Sequence, residues 1–180
     1  MSGSQPRETR TSKVPGQSGQ VWKPKDDSYA EKFGRDAYMD DRRTPPEPTV
    51  CPDCGAVFQA GRWAWVSPAP DAANKEPCPA CRRVRDRFPA GTIALEGGFL
   101  AEHRDEIFGL VHNQAEAERQ EHPLHRIMEI DEAGPGGVTI TTTDIHLPRR
   151  ILEALHRAYE GEMEFTYGDD ETSLRGRWAR

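Results

Sequence analysis

The sequence predicts an α+β protein. A small four-cysteine ribbon is followed by a module of hairpin, helix and hairpin on an antiparallel sheet, and a disordered tail precedes both. Three observations predict this. All four cysteines fall in two C-x2-C pairs, Cys51 with Cys54 and Cys78 with Cys81, separated by 23 residues. Beyond residue 126, apolar residues alternate in short runs and recur at helical spacing between them. Over residues 1–48 the apolar residues are isolated and neither period survives.

The tail, 1–48, is rich in Ser, Gly, Gln, Pro and charge, and the Pro-rich stretch 44–48 ends it stiffly. Its first part holds Arg7, Arg10, Lys13, Lys23 and Lys25 against Glu8 alone, either a basic arm for a polyanion or a solubilising segment. The ribbon, 49–90, offers Val57, Phe58, Trp63, Trp65 and Val66 for two short strands turned at Gly61, then a loop over 67–77. The α+β module, 91–180, opens with a helix signal over 97–121, where Phe99, Leu100, Ile107, Phe108 and Val111 gather on one side and Pro123 ends the run. Strands are expected at 127–130 and 138–143 across a Gly-rich turn, with Val138, Ile140 and Thr142 on one face. Leu147-Pro148-Arg149 opens a second helix with proline in its first turn. Ile151, Leu152, Leu155 and Ala158 form its apolar stripe, and Gly161 follows its end. Met163, Phe165 and Tyr167 alternate in one strand, and Leu174, Gly176 and Trp178 in the next, turned at 168–170.

The two cysteine pairs carry the clearest chemistry. A tight turn lets both of its sulfurs reach one ion, and two facing turns complete the tetrahedral four-sulfur shell that Zn2+ prefers. Cys51, Cys54, Cys78 and Cys81 are therefore the expected ligands of one structural zinc ion. Two disulfides, an iron–sulfur cluster and a redox pair are the alternatives. The N-terminus, Met1-Ser2-Gly3-Ser4-Gln5-Pro6, has no apolar signal segment, which argues against export and disulfides and for a cytoplasmic protein. Pro77-Cys78-Pro79-Ala80-Cys81 matches half of a zinc-deaminase signature, but no Glu follows Cys54 where the other half requires one. A complete thiolate shell also leaves no position for water, so the site reads as architectural rather than catalytic.

Charge is unevenly spread. Residues 1–50 carry 9 Lys/Arg and 8 Asp/Glu, residues 51–90 carry 6 and 4, and residues 91–180 carry 9 and 18. This excludes a uniformly basic nucleic-acid binder and confines any RNA contact to a local patch. The candidate patch is Arg82, Arg83, Arg85 and Arg87, directly after the second cysteine pair, with Trp63 or Trp65 for base stacking. The same arginines could instead balance the negative zinc–thiolate centre or face the acidic module. Arg149, Arg150, His156 and Arg157 lie off the apolar stripe of the second helix and read best as solvated surface. His103, His112, His122 and His125 invite a second metal, but Pro123 interrupts helical ligand spacing, and no second site is expected. No apolar run approaches the roughly 18 residues of a membrane span.

The order of parts resembles a known family. The cysteine ribbon is followed by Thr139-Ile140-Thr141-Thr142-Thr143-Asp144-Ile145-His146-Leu147-Pro148-Arg149-Arg150-Ile151, then Leu155 and Tyr159-Glu160-Gly161-Glu162. In this, residues 50–178 resemble small bacterial zinc-ribbon proteins related to the nonsense-mediated-decay-three family, which contains the export adaptor of the large ribosomal subunit and its archaeal homologues. The resemblance implies that the four cysteines match one set of the family's zinc ligands, and it points toward ribosomal RNA or a ribosomal subunit. The export adaptors carry further cysteine pairs and β-barrel domains that this chain lacks. The expectation is a non-enzymatic, cytoplasmic zinc-ribbon protein that binds RNA or a ribosomal particle. A protein-interaction adaptor using the acidic module is the alternative, and an enzyme is third.

Overall fold

The structure is a computed structural model that describes Tyr38 and residues 44–132, 137–168 and 171–180. The basic arm at 1–25, most of the expected tail and the turn residues 133–136 and 169–170 lie outside the described residues.

The ribbon is built on β1 (Thr49–Val50), β2 (Val57–Gln59), β3 (Arg62–Ala64) and β4 (Asn74–Lys75), in the order β3-β2-β1-β4. β2 and β3 form the expected hairpin. Ala60 and Gly61 at its turn both have positive φ, 53° and 74°, the geometry that matches strand twist in a two-residue loop. Glu47 secures this turn, its carboxylate accepting from the N–H of Ala60 at 2.9 Å and of Gly61 at 2.8 Å. Helix α1 (Pro79–Asp86) starts inside the second cysteine pair. Tyr38 belongs to the same body: its ring stacks on Phe88 with centroids 5.6 Å apart, and its hydroxyl donates to Asp86 at 2.7 Å.

The larger sheet has five strands: β5 (Gly91–Glu96), β6 (Ile127–Asp131), β7 (Gly137–Thr142), β8 (Glu162–Tyr167) and β9 (Leu174–Ala179), in the order β6-β7-β5-β9-β8. The hairpins β6–β7 and β8–β9 are the two expected ones. The central strand β5 was not expected. It pairs antiparallel with β7 and parallel with β9, from Gly91↔Leu174 to Glu96↔Ala179, so the sheet is mixed rather than wholly antiparallel. Helix α4 (His146–Tyr159) lies on this sheet, and the helix signal at 97–121 resolves into α2 (Gly98–Glu102) and α3 (Arg104–Glu121), the latter packed on α4. The break falls at His103, at φ −117° and ψ 30°, whose ring stacks on Phe99 at 4.0 Å.

Ile93, Leu95, Ile107, Ile140, Leu155 and Trp178 are fully buried in the core between these helices and the sheet. Trp178 satisfies its indole N–H on the Glu160 carbonyl at 2.8 Å. Along α4, Leu147, Ile151, Leu152 and Leu155 face inward as the spacing predicts, but Ala154 is buried and Ala158 is exposed. Gly176 lets α4 approach β9, since a Cβ there would meet Leu152 Cδ1 at 2.3 Å. Asp144, just ahead of α4, accepts from the N–H of His146 at 2.7 Å and of Leu147 at 2.9 Å, satisfying two orphan donors of the first turn.

Candidate metal centre

Each cysteine pair is positioned by its own local geometry. In the first, Gly55 N–H donates to the Cys51 carbonyl at 2.9 Å and Cys51 N–H to Ala56 at 2.8 Å, folding Cys51-Pro52-Asp53-Cys54 into a closed turn. In the second, Cys78 caps α1, and its sulfur accepts from the N–H of Cys81 at 3.4 Å. The two turns meet where Cys78 N–H donates to Cys51 Sγ at 3.2 Å. All four Sγ atoms lie within 4.8 Å of one another, and Cys51 and Cys78 are buried.

The sulfur separations distinguish among the alternatives. Cys54 Sγ and Cys78 Sγ are 3.7 Å apart, far beyond a disulfide bond of about 2.05 Å, and all four cysteines are free thiols. Four sulfurs bound tetrahedrally at about 2.3 Å each would stand about 3.8 Å apart. The donor set therefore fits a single ion in a complete four-sulfur shell.

Arg126, at the entry to β6, completes the site. Its Nη2 approaches Cys78 Sγ at 3.2 Å, Cys81 Sγ at 3.4 Å and Cys54 Sγ at 3.8 Å, so one guanidinium corner covers three sulfurs. Leu124 and Trp63 pack beside the cluster as its apolar wall. The titration of these groups follows from the crowding. The hydrogen bond from Cys78 holds the Cys54 thiol down to about 4, while the same bond, together with burial, pushes Cys78 well up. Burial also raises Cys81, against the pull of Arg126. Burial pulls Arg126 down, but its bond to Cys81 and the charges of Cys78, Cys81 and Cys54 hold it above its ordinary value. Sequence reading missed Arg126, because a single arginine 45 residues after Cys81 carries no local signal.

The arginine run is only partly a surface. Arg83 is buried, 3% exposed, with its guanidinium 4.6 Å from the Tyr38 ring and donating to the Phe88 carbonyl at 3.2 Å. Arg82 donates to the Tyr38 carbonyl at 3.1 Å, and Arg85 pairs with Asp53 at 2.9 Å while staying largely exposed. Arg87 caps α1 in the left-handed conformation and is exposed. These arginines do not cover the thiolates; Arg126 does. Trp63 tilts against Phe58 at 5.6 Å, and Trp65 donates to the Arg119 carbonyl at 2.6 Å, tying the ribbon to α3. On α4, Arg149 pairs with Glu153 and Arg150 with Glu118.

Compared with family models, curated proteins and solved structures, the chain matches none. No helix among the described residues is long and apolar enough to cross a membrane.

Proposed function

We propose that Cys51, Cys54, Cys78 and Cys81 hold one structural Zn2+, and that the protein is a non-enzymatic, cytoplasmic zinc-ribbon protein binding RNA, in the setting of a ribosomal particle. The observation that carries the first part is the gathering of all four Sγ atoms within 4.8 Å of one another, a complete shell that leaves a bound ion no open position. Zinc supplies cross-linking free energy here, because so small a ribbon buries little apolar surface by itself. The RNA contact falls to the exposed side of α1, where Arg85 and Arg87 project and Arg82 is half-exposed, with Arg83 withdrawn from it. The engagement of Arg82 and Arg83 with Tyr38 narrows the arginine surface left for RNA; the second reading is a protein adaptor that docks through the acidic module.

Gradient sedimentation of tagged protein from lysate separates the two. Salt- and nuclease-sensitive movement with ribosomal particles, lost in an Arg85→Glu, Arg87→Glu chain, is the expected result. Capture of one protein partner regardless of nuclease supports the adaptor, and migration at the top of a low-salt gradient refutes the RNA reading.

A further inference from the structure

A second cluster of ligand-type side chains gathers around the segment that carries Leu124 and Arg126. Glu118 sits in the last turn of α3 and His122 one turn later, so the two emerge on the same side. The helix ends at His122, and the chain turns back over Pro123 and Leu124, with the N–H of His125 donating to the His122 carbonyl at 2.9 Å. That turn, rather than helical spacing, brings the two imidazole rings to 4.7 Å. One ligand atom each from Glu118, His122 and His125 lies within 4.8 Å of the others.

We propose that Glu118, His122 and His125 bind a second divalent first-row transition-metal ion, with the Asp144 carboxylate beside it. Imidazole and carboxylate donors suit Zn2+, Ni2+, Co2+ or Fe2+, and a set of three leaves coordination positions open. Two donors at about 2.1 Å from one ion stand about 3.0–3.4 Å apart, depending on coordination geometry. Glu118 Oε2 and His125 Nδ1 are already at 3.1 Å. Arg150 holds the other carboxylate oxygen of Glu118, Oε1, at 2.8 Å, which fixes the rotamer that presents Oε2.

One observation exceeds what a simple ion-pair network explains. Asp144 Oδ1 stands 3.9 Å from His125 Nδ1 and is used in capping α4, but its partner oxygen Oδ2 is buried with no hydrogen-bond partner among the described residues. A buried oxygen without a partner calls for a water or an ion. Glu118 and Asp144 are also largely buried, with side chains 8% and 11% exposed, and a divalent cation would offset both carboxylates. His146, with its ring 5.4 Å from that of His125, borders the same site.

The test uses the full chain with its cysteine cage already loaded, dialysed against buffered free Zn2+. One further equivalent is expected. The His122→Ala and Glu118→Gln chains should hold it at least tenfold more weakly, and Asp144→Asn should weaken it by about 10- to 100-fold, as removal of a supporting group does. His122 is half-exposed, so its replacement leaves the fold in place. Uptake of no second equivalent overturns the proposal, as does unchanged affinity in His122→Ala. Should a variant lose its fold, Co2+ added to the unaltered chain decides. Paramagnetic broadening of the His122 and His125 ring signals supports the site, and unbroadened signals refute it.

Discussion

Replacing Arg126 with methionine keeps an aliphatic stem beside the cage and removes the charge over its sulfurs. Two of the guanidinium contacts, to Cys78 at 3.2 Å and to Cys81 at 3.4 Å, are close enough to count as full hydrogen bonds to sulfur. Hydrogen bonds to charged groups contribute about 1.5–3 kcal/mol each, so the pair amounts to about 3–6 kcal/mol when fully desolvated. Arg126 is only partly buried, and water screens it. Discounting for that leaves about 2 kcal/mol, equivalent to about 30-fold in zinc affinity. Arg126→Lys keeps the charge without the planar fork and should fall between. Competition for zinc with a chromophoric chelator measures this directly, with thermal unfolding run alongside. Affinity in the Arg126→Met chain within about twofold of the parent would refute the account, since that difference is within the scatter of independent sites.

Two further outcomes follow from the packing. Gly176→Ala places a methyl group against Leu152 in a filled core and should cost about 1–3 kcal/mol in chemical denaturation; shortening Leu152 to valine in the same chain should return part of the loss. Burial, reinforced by the hydrogen bond to Asp86, raises the Tyr38 phenol from 10.0 to about 12. The stability tied to that proton is complete below pH 10 and is lost as pH rises toward 12. Phenolate absorbance in the parent minus Tyr38→Phe difference spectrum should therefore rise near 12, and a rise near 10 would show that Tyr38 is not docked.

The features legible in the sequence are those set by neighbouring residues. C-x2-C turns, the hairpins β6–β7 and β8–β9, and the stripe of α4 each follow from spacing within one element. The central strand β5 was not legible, because a strand buried on both faces shows a short apolar run, Ile93-Ala94-Leu95, without alternation. Arg83 is charged yet buried, and Tyr38 and Phe88, brought from either side of it, lie against its guanidinium. The pairing of His122 with His125 depends on a turn that the intervening proline seemed to argue against. In each case the deciding contact is made across the fold, or through a local backbone shape that residue type alone does not reveal.

The guanidinium that covers the cage lies 72 residues after Cys54, 48 after Cys78 and 45 after Cys81. Synthesis at about 5–20 residues per second puts roughly 2 to 9 s between the appearance of the last cysteine and that of the arginine. Throughout that interval no arginine covers the cysteine pairs, and their thiols are open to an ion from solution. Once β6 is in place the same thiols lie beneath a positive charge that repels an incoming cation. If the ion enters before that cover forms, apoprotein refolded at full length should acquire its ion more slowly than a chain loaded as it is made.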